Sequence, residues 1–319
     1  MTPLFIFSLP RSGSTLTQKI LGTHPEITTV GEPWILLPYL YTLKEQGAYA
    51  EYGHHLAAQA IEQFCLELPN GKADYQAEIR ALVLRLYEQA ARNNQAASTP
   101  AKYFLDKTPR YALVAEEIIQ LFPEAKLILL WRNPLAIAAS MMTTWSNNKW
   151  NLYRYRIDLF DGLANLVSIA EKYSDRLHIL QYENLLLNPQ VELQKICDYL
   201  DISFNQELLS RFSQTKLNPE IGDPTGINQY QRISREPLEK WKSILANPLR
   251  KTWSKKYLKW LGQDRLGLMG YDQNQLLDEI KQIPLNLQTL PFDLHRILRK
   301  TWKSPQEAWQ IYNSLVVKD

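Results

Sequence analysis

The sequence predicts an α/β fold with a doubly wound parallel sheet, and three patterns carry that prediction. Residues 4–9 (LFIFSL) and 126–131 (KLILLW) are short, nearly unbroken apolar runs, the pattern of strands covered on both faces. Each runs into a polar turn holding a proline, Pro10 or Pro134, and then into a helical pattern. Strand and helix repeated in this order pack as right-handed crossovers onto one parallel sheet.

Taken along the chain, the strand at 4–9 ends at Pro10 and a helix over 15–21 follows. From Glu32 to Asn94 the pattern is helical: 34–43, then around 54–68 up to Pro69-Asn70-Gly71, then 75–92. This stretch, about 33–95, reads as a helical insertion. Open α/β sheets bind ligands beyond the carboxyl ends of their strands, so the insertion is placed to form a lid. Trp34, Tyr39, Tyr41, Tyr49 and Tyr52 are pocket candidates within it, with ordinary packing as the alternative for each. Residues 102–105 read as a short strand ending in Asp106-Lys107-Thr108-Pro109, with a helix over 111–121. The strand at 126–131 is the strongest of all, and Pro134 opens a helix to about 145. A helix over about 155–173, a fourth strand at 177–181 and a helix from Pro189 to Leu200 complete the repeat. Residues 215–233, rich in Asn, Pro, Gly and Gln, read as a long loop of the functional or mobile kind. Past Tyr271 the chain is helical and polar. We therefore expect one domain over 1–272 and a helical extension over 273–319.

The 319 residues are 45% hydrophobic, enough for a sizeable core. A net charge of +3 is too small to imply a nucleic acid partner. Nine Lys or Arg against two acids between Gln231 and Lys259 read as a solvated helix face or as the wall of an anion site. Cys65 and Cys197 read as buried, inert thiols. The first strand leaves no room for a signal peptide, and no apolar run approaches the ~20 residues of a membrane span. A cytoplasmic protein without a membrane or nucleic acid partner is expected.

The turn after the first strand carries the chemistry. Ser12, Gly13, Ser14 and Thr15 offer hydroxyls, backbone N–H groups and a close-approach glycine where a helix presents its positive end. Arg11 adds a fork of donors matched to phosphate or sulfate oxygens. From these residues alone, an anion cradle and a solvent-exposed turn with a helix cap both stay open. The turn lacks the first Gly and the Lys of G-x-x-x-x-G-K-[ST], which disfavours a nucleoside triphosphatase. Arg132 at the end of a strand and Ser140 on the following helix make a second candidate anion site, with an ion pair and a buried small residue as the alternatives.

Pro10-Arg11-Ser12-Gly13-Ser14-Thr15-Leu16 resembles the 5′-phosphosulfate loop of the sulfotransferases that use 3′-phosphoadenosine 5′-phosphosulfate (PAPS). The continuation through His24-Pro25-Glu26 to Gly31-Glu32 is similar to the branch holding the tyrosylprotein sulfotransferases and many bacterial sulfotransferases. The resemblance covers about half the chain and implies a P-loop sulfotransferase fold. It implies that Arg11, Ser12, Gly13, Ser14 and Thr15 hold the 5′ end of PAPS, that Arg132 and Ser140 hold its 3′-phosphate, and that Tyr182 lies near the adenine. Lys240, with Ser234 as a weaker match, falls where the family's last cofactor contacts lie. Glu32 matches the general base, and Arg11 and Lys107 match the basic residues that hold the transferring group. Trp34 beside Glu32 supplies an apolar neighbour, which favours a carboxylate that takes up a proton.

His54 and His55 are the rival bases, since small-molecule sulfotransferases use a histidine; His24 reads as a turn residue. No metal is expected, because a sulfuryl group carries less charge than a phosphoryl group and basic side chains can meet it. The expected activity is transfer of the sulfuryl group of PAPS to a hydroxyl or amine of a small molecule, leaving 3′-phosphoadenosine 5′-phosphate (PAP). The alternatives are a protein-tyrosine sulfotransferase, a non-catalytic nucleotide-binding protein, and a kinase of related fold that would need Mg²⁺ and ATP.

Overall fold

The computed structural model describes residues 1–94, 100–215, 217 and 232–301. Its centre is a five-stranded parallel sheet: β1 (Thr2–Phe7), β2 (Ile27–Thr29), β3 (Tyr103–Asp106), β4 (Lys126–Trp131) and β5 (Leu177–Gln181), in the order β2-β3-β1-β4-β5. Alternation along the strands sends Phe5, Phe7, Phe104, Leu127 and Leu129 to one face, and Leu4, Ile6, Leu105, Ile128 and Leu130 to the other. Both faces are buried, so the strands read as continuous apolar runs. The second face is covered by α1 (Ser14–Leu21) and by two helices after β5, Tyr182–Leu187 and Pro189–Leu200.

Strands at 126–131 and 177–181 lie where the sequence places them. The first ends two residues early, because Ser8 and Leu9 leave the ladder yet stay buried beneath the following turn. β2 is a departure: four strands are expected and five form. Ile27, Thr28, Thr29 and Val30 are all β-branched, which suits a strand, but the run is too short to show periodicity. With β2 in the sheet, the helices at Leu36–Tyr41, His54–Cys65 and Lys72–Asn94 form the connection from β2 to β3. The last of these is more than a lid. Its Ile79, Val83 and Tyr87 pack on the sheet, with the Tyr87 ring stacked on Phe104 at 4.2 Å between centroids.

The helix expected over 111–121 is a 3₁₀ turn, Pro109–Leu113, followed by the α-helix Ala115–Leu121. The helix expected over 155–173 is likewise broken into a 3₁₀ turn, a π-helical turn (Ile157–Gly162) and an α-helix (Leu163–Lys172). Most of the loop expected at 215–233 lies outside the described residues. The helix Gln273–Gln282 sends Leu276 and Ile280 into the same core as β1 and β4. Cys65 and Cys197 are free and buried, and burial pushes the Cys197 thiol up to about 11. Among the described residues no helix is long and apolar enough to cross a membrane.

Candidate active site

Four strands deliver the site from one edge of the sheet. From β1 the chain turns toward β2, and from its neighbour β4 it turns toward β5, so a crevice opens between their carboxyl ends. Arg11 follows β1, Lys107 follows β3 and Arg132 follows β4, while Glu32 comes three residues after β2. Arg132 spans the crevice: its Nη1 donates to the Arg11 carbonyl at 2.7 Å, and its guanidinium lies 4.4 Å from the centre of the Tyr182 ring.

The turn before α1 is shaped as a cradle. Arg11 takes φ 70° and Gly13 takes φ 92°, both in the left-handed region. A Cβ on Gly13 would stand 2.2 Å from the Tyr182 ring, so this position requires glycine twice over. Helix α1 starts without any side-chain cap. Its first N–H groups have no acceptor within the helix, and the helix dipole adds positive potential. Ser14 and Thr15 open on a cleft of about 160 Å³ lined also by Arg11, Gly13 and Arg132. Two buried atoms of the same loops, Ser12 Oγ and Arg132 Nε, have no hydrogen-bond partner among the described residues. Such orphans are costly unless a ligand meets them. This donor set fits a phosphate or sulfate.

The cleft is lined further by Glu32, Trp34, Pro109, Arg110 and Trp145, with the Arg11 guanidinium 6.0 Å from the centre of the Trp145 ring. Lys107 Nζ lies 2.7 Å from Glu32 Oε1 and 3.4 Å from Thr15 Oγ1, so one ammonium joins the carboxylate to the first turn of α1. Both partners of that ion pair are buried. Glu32 Oε2 accepts from Trp34 Nε1 at 3.2 Å. Gln18 on α1 holds the backbone leading to Glu32, donating to Thr29 Oγ1 at 2.8 Å and to the Val30 carbonyl at 2.6 Å. Beneath Lys107, the fully buried Asp106 accepts from Tyr87 (2.6 Å), Tyr111 (3.1 Å) and Thr108 (3.2 Å). Burial pushes its carboxyl up to about 6, against the pull of those hydroxyls and of Lys107.

The structure therefore gathers Arg11, Ser12, Gly13, Ser14, Thr15, Glu32, Lys107 and Arg132 around one crevice. Ser140, on the helix Pro134–Ser146, accepts from Arg11 Nε at 3.2 Å, and Tyr182 backs the cradle behind Gly13. Lys240 is exposed and outside the cleft lining, although the neighbouring Pro237 carbonyl accepts from Arg132 at 3.4 Å. Ser234 Oγ caps the backbone N–H of Glu236. His54 Nε2 bonds the Lys44 carbonyl and His55 pairs with Glu45, both within the β2–β3 connection. His24 is a turn residue, with Nδ1 accepting from the Glu26 N–H and Nε2 donating to the Ser203 carbonyl. Of the aromatic pocket candidates only Trp34 reaches the cleft; Tyr39 and Tyr41 pack on the core, and Tyr49 and Tyr52 face solvent. Sequence reasoning did not single out Gln18, Arg110 or Trp145. Arg110 had a signal, standing three residues past Lys107 in the same strand-end turn; Trp145 and Gln18 had none.

A crevice at the switch point of a parallel sheet, bordered by an uncapped helix start and by cations, defines an α/β protein whose donors fit a phosphate-like anion. The profile of the Sulfotransferase family matches residues 3–206, and the chain belongs to that family. It is 38% identical over 292 residues to the nodulation protein NoeE of Sinorhizobium fredii, across 85% of this chain and 66% of that protein. It is 24% identical over 264 residues to a protein-tyrosine sulfotransferase of Drosophila melanogaster, across 76% and 47%. The chain thus spans from about half to about two thirds of the length of these relatives. The sulfotransferase domain of the Synechococcus PCC 7002 olefin synthase superimposes with a TM-score of 0.56 at 26% identity, over 85% of this chain and 95% of that domain.

Proposed function

We propose that this chain is a sulfotransferase that moves the sulfuryl group of PAPS to a hydroxyl or amine of a small acceptor. The observation that carries this reading is the uncapped start of α1, which opens on a cleft lined by Arg11, Arg132 and Glu32. Family membership supports it, and the orphaned Ser12 Oγ and Arg132 Nε fit the anionic ends of the cofactor. PAPS supplies an activated sulfuryl group on a phosphate leaving group.

The chain's own residues then have separate tasks. The α1 N–H groups with Ser12, Ser14 and Thr15 hold the 5′ end, while Arg132 and Ser140 take the 3′-phosphate and Tyr182 borders the base. Lys240 is assigned to the cofactor by family resemblance. Glu32 takes the acceptor's proton as the acceptor oxygen or nitrogen bonds to sulfur. The bond from sulfur to the phosphate oxygen breaks, and PAP leaves with that electron pair. Lys107, reaching both Glu32 and Thr15, lies between base and cradle, where negative charge shifts during transfer. Arg11 meets the same charge from the turn.

Calorimetric titration with PAP, against ATP with Mg²⁺, tests the cofactor on wild type and Arg132→Ala. Metal-independent binding of PAP, weakened at least tenfold by Arg132→Ala, is expected; preference for ATP with Mg²⁺ refutes the reading. In acceptor screens with PAPS, Glu32→Gln should lower kcat by about 10²- to 10⁴-fold, the usual worth of a general base. Its PAP affinity should stay within a few fold of wild type.

A further inference from the structure

Among the described residues that line the cleft, Arg110 is the one cation that the proposed transfer leaves without a task. It stands in the turn Pro109–Leu113, which forms one wall of the cleft. That wall is tied to the start of the β2–β3 connection: Thr108 Oγ1 accepts from the Trp34 N–H at 3.4 Å, and Tyr111 Oη accepts from the Leu36 N–H at 3.3 Å. Arg110 makes no bond to the cradle. Its guanidinium is held from behind by Asp158 on the π-helical turn, through Nε at 2.7 Å and Nη2 at 3.1 Å. Asp158 is buried, with 2% of its side chain exposed, whereas Arg110 retains 33%. Nη1 has no partner among the described residues. A buried carboxylate gripping one edge of a guanidinium fixes the other edge in place.

Two large rings line the cleft with it. Trp34 and Trp145 line the same cleft and remain 36% and 38% exposed. Trp34 sits at φ 59°, a conformation that costs a bulky residue on the order of 1–3 kcal/mol and collects at ligand sites. The exposed Trp34 indole suits the flat face of a ring, whereas Trp145 already meets the Arg11 guanidinium 6.0 Å from its ring centre and the Tyr155 ring at 5.1 Å; a fixed guanidinium edge suits an anion.

We propose that Arg110 anchors an anionic group of the acceptor, so that the natural acceptor is a small hydroxylated ring compound bearing a carboxylate, sulfate or phosphate. This rests on the sulfotransferase reading and deepens it. With the anion on Arg110 and the ring against Trp34, the reacting hydroxyl is directed to Glu32, which lines the same cleft.

The test uses the full chain saturated with PAP and two matched pairs of probes. These are 4-hydroxyphenylacetate with its neutral amide, and 4-nitrophenyl β-glucuronide with 4-nitrophenyl β-glucoside. Calorimetry on wild type should show at least tenfold tighter binding of the charged member of one pair. Arg110→Gln should abolish that preference and leave PAP affinity within twofold, and Arg110→Lys should restore part of it. Equal binding of charged and neutral members by wild type, or binding of neither, overturns the proposal. So does an Arg110→Gln variant that weakens PAP as much as Arg132→Ala, since Arg110 would then serve the cofactor. Failure of PAP itself to bind refutes the sulfotransferase reading, and the role of Arg110 falls with it.

Discussion

Asp106 shows how a residue with no place in the chemistry can still govern it. It precedes Lys107, lies wholly out of water and is satisfied by three hydroxyls, so the turn that aims Lys107 is anchored from below. Its carboxyl moves from 3.8 in the unfolded chain to about 6 in the fold because burial penalises the charge. The sign follows directly. Below about pH 4 the group is neutral in both states and costs nothing; as pH rises to about 6 the unfolded chain has ionised and the fold resists, so stability falls. The gap of about two pKa units corresponds to roughly 3 kcal/mol. Asp158, also raised to about 6, acts in the same direction. Denaturant unfolding between pH 4 and 7 should therefore show a decline in wild type that is distinctly shallower in Asp106→Asn, whose amide stays neutral. Equal slopes in the two proteins would show that Asp106 is not the group responsible.

At the scale of elements, the helix after β4 is where the site depends on correct starts. Asn133 caps it, with Oδ1 accepting from Leu135 N at 2.9 Å and Ala136 N at 3.4 Å, and Pro134 stands at its first position. Glu183 braces the same turn, accepting from the Asn133 N–H at 3.0 Å and from Tyr271 Oη at 2.7 Å. Helix α1 is the opposite case: it begins without a cap, as a helix does when its N–H groups serve a ligand. Asn133→Ala should cost about 1 kcal/mol in urea unfolding, the usual worth of such a cap. It should also weaken PAP, because Arg132 is the next residue. A loss of stability with unchanged PAP affinity would separate the cap from the site. The Asn133 cap was readable from Asn-Pro at the end of an apolar run; the missing cap on α1 was not, since Ser12 and Ser14 are both residues that cap helices well.

Over the whole molecule, the C-terminal helices are fastened into the core that carries the site. Arg250, within the basic run, is fully buried and holds Asp293 through Nε at 2.7 Å and Nη2 at 3.1 Å. Its other donors reach the side chain and carbonyl of Asn148, just past the helix that bears Ser140 and Trp145. Asn247 and the Trp150 N–H complete the ring around Asp293. We therefore propose that the extension, over its described residues 273–301, steadies the cleft rather than forming a separate unit. Asp293→Ala leaves Arg250 buried and unpaired, and such a loss costs about 3–5 kcal/mol. A melting temperature lowered by several degrees is expected, and an unchanged one would show that the helix around Asp293 docks without this contact.

The sequence by itself determined the layered α/β plan, the bounds of β4 and β5, and the loops that supply Arg11, Lys107, Arg132 and Glu32. These are local properties: apolar runs, prolines at helix starts and polar turns at strand ends are written in consecutive residues. Only the tertiary structure decided that β2 joins the sheet and that the β2–β3 connection packs a helix on it. It alone placed Lys107 against Glu32, Arg110 against Asp158, and a basic-run arginine inside the core. Those outcomes depend on residues 43 to 75 positions apart meeting in a low-dielectric interior, where burial and pairing, not neighbours in the chain, set which charges are held and which are left to meet a ligand.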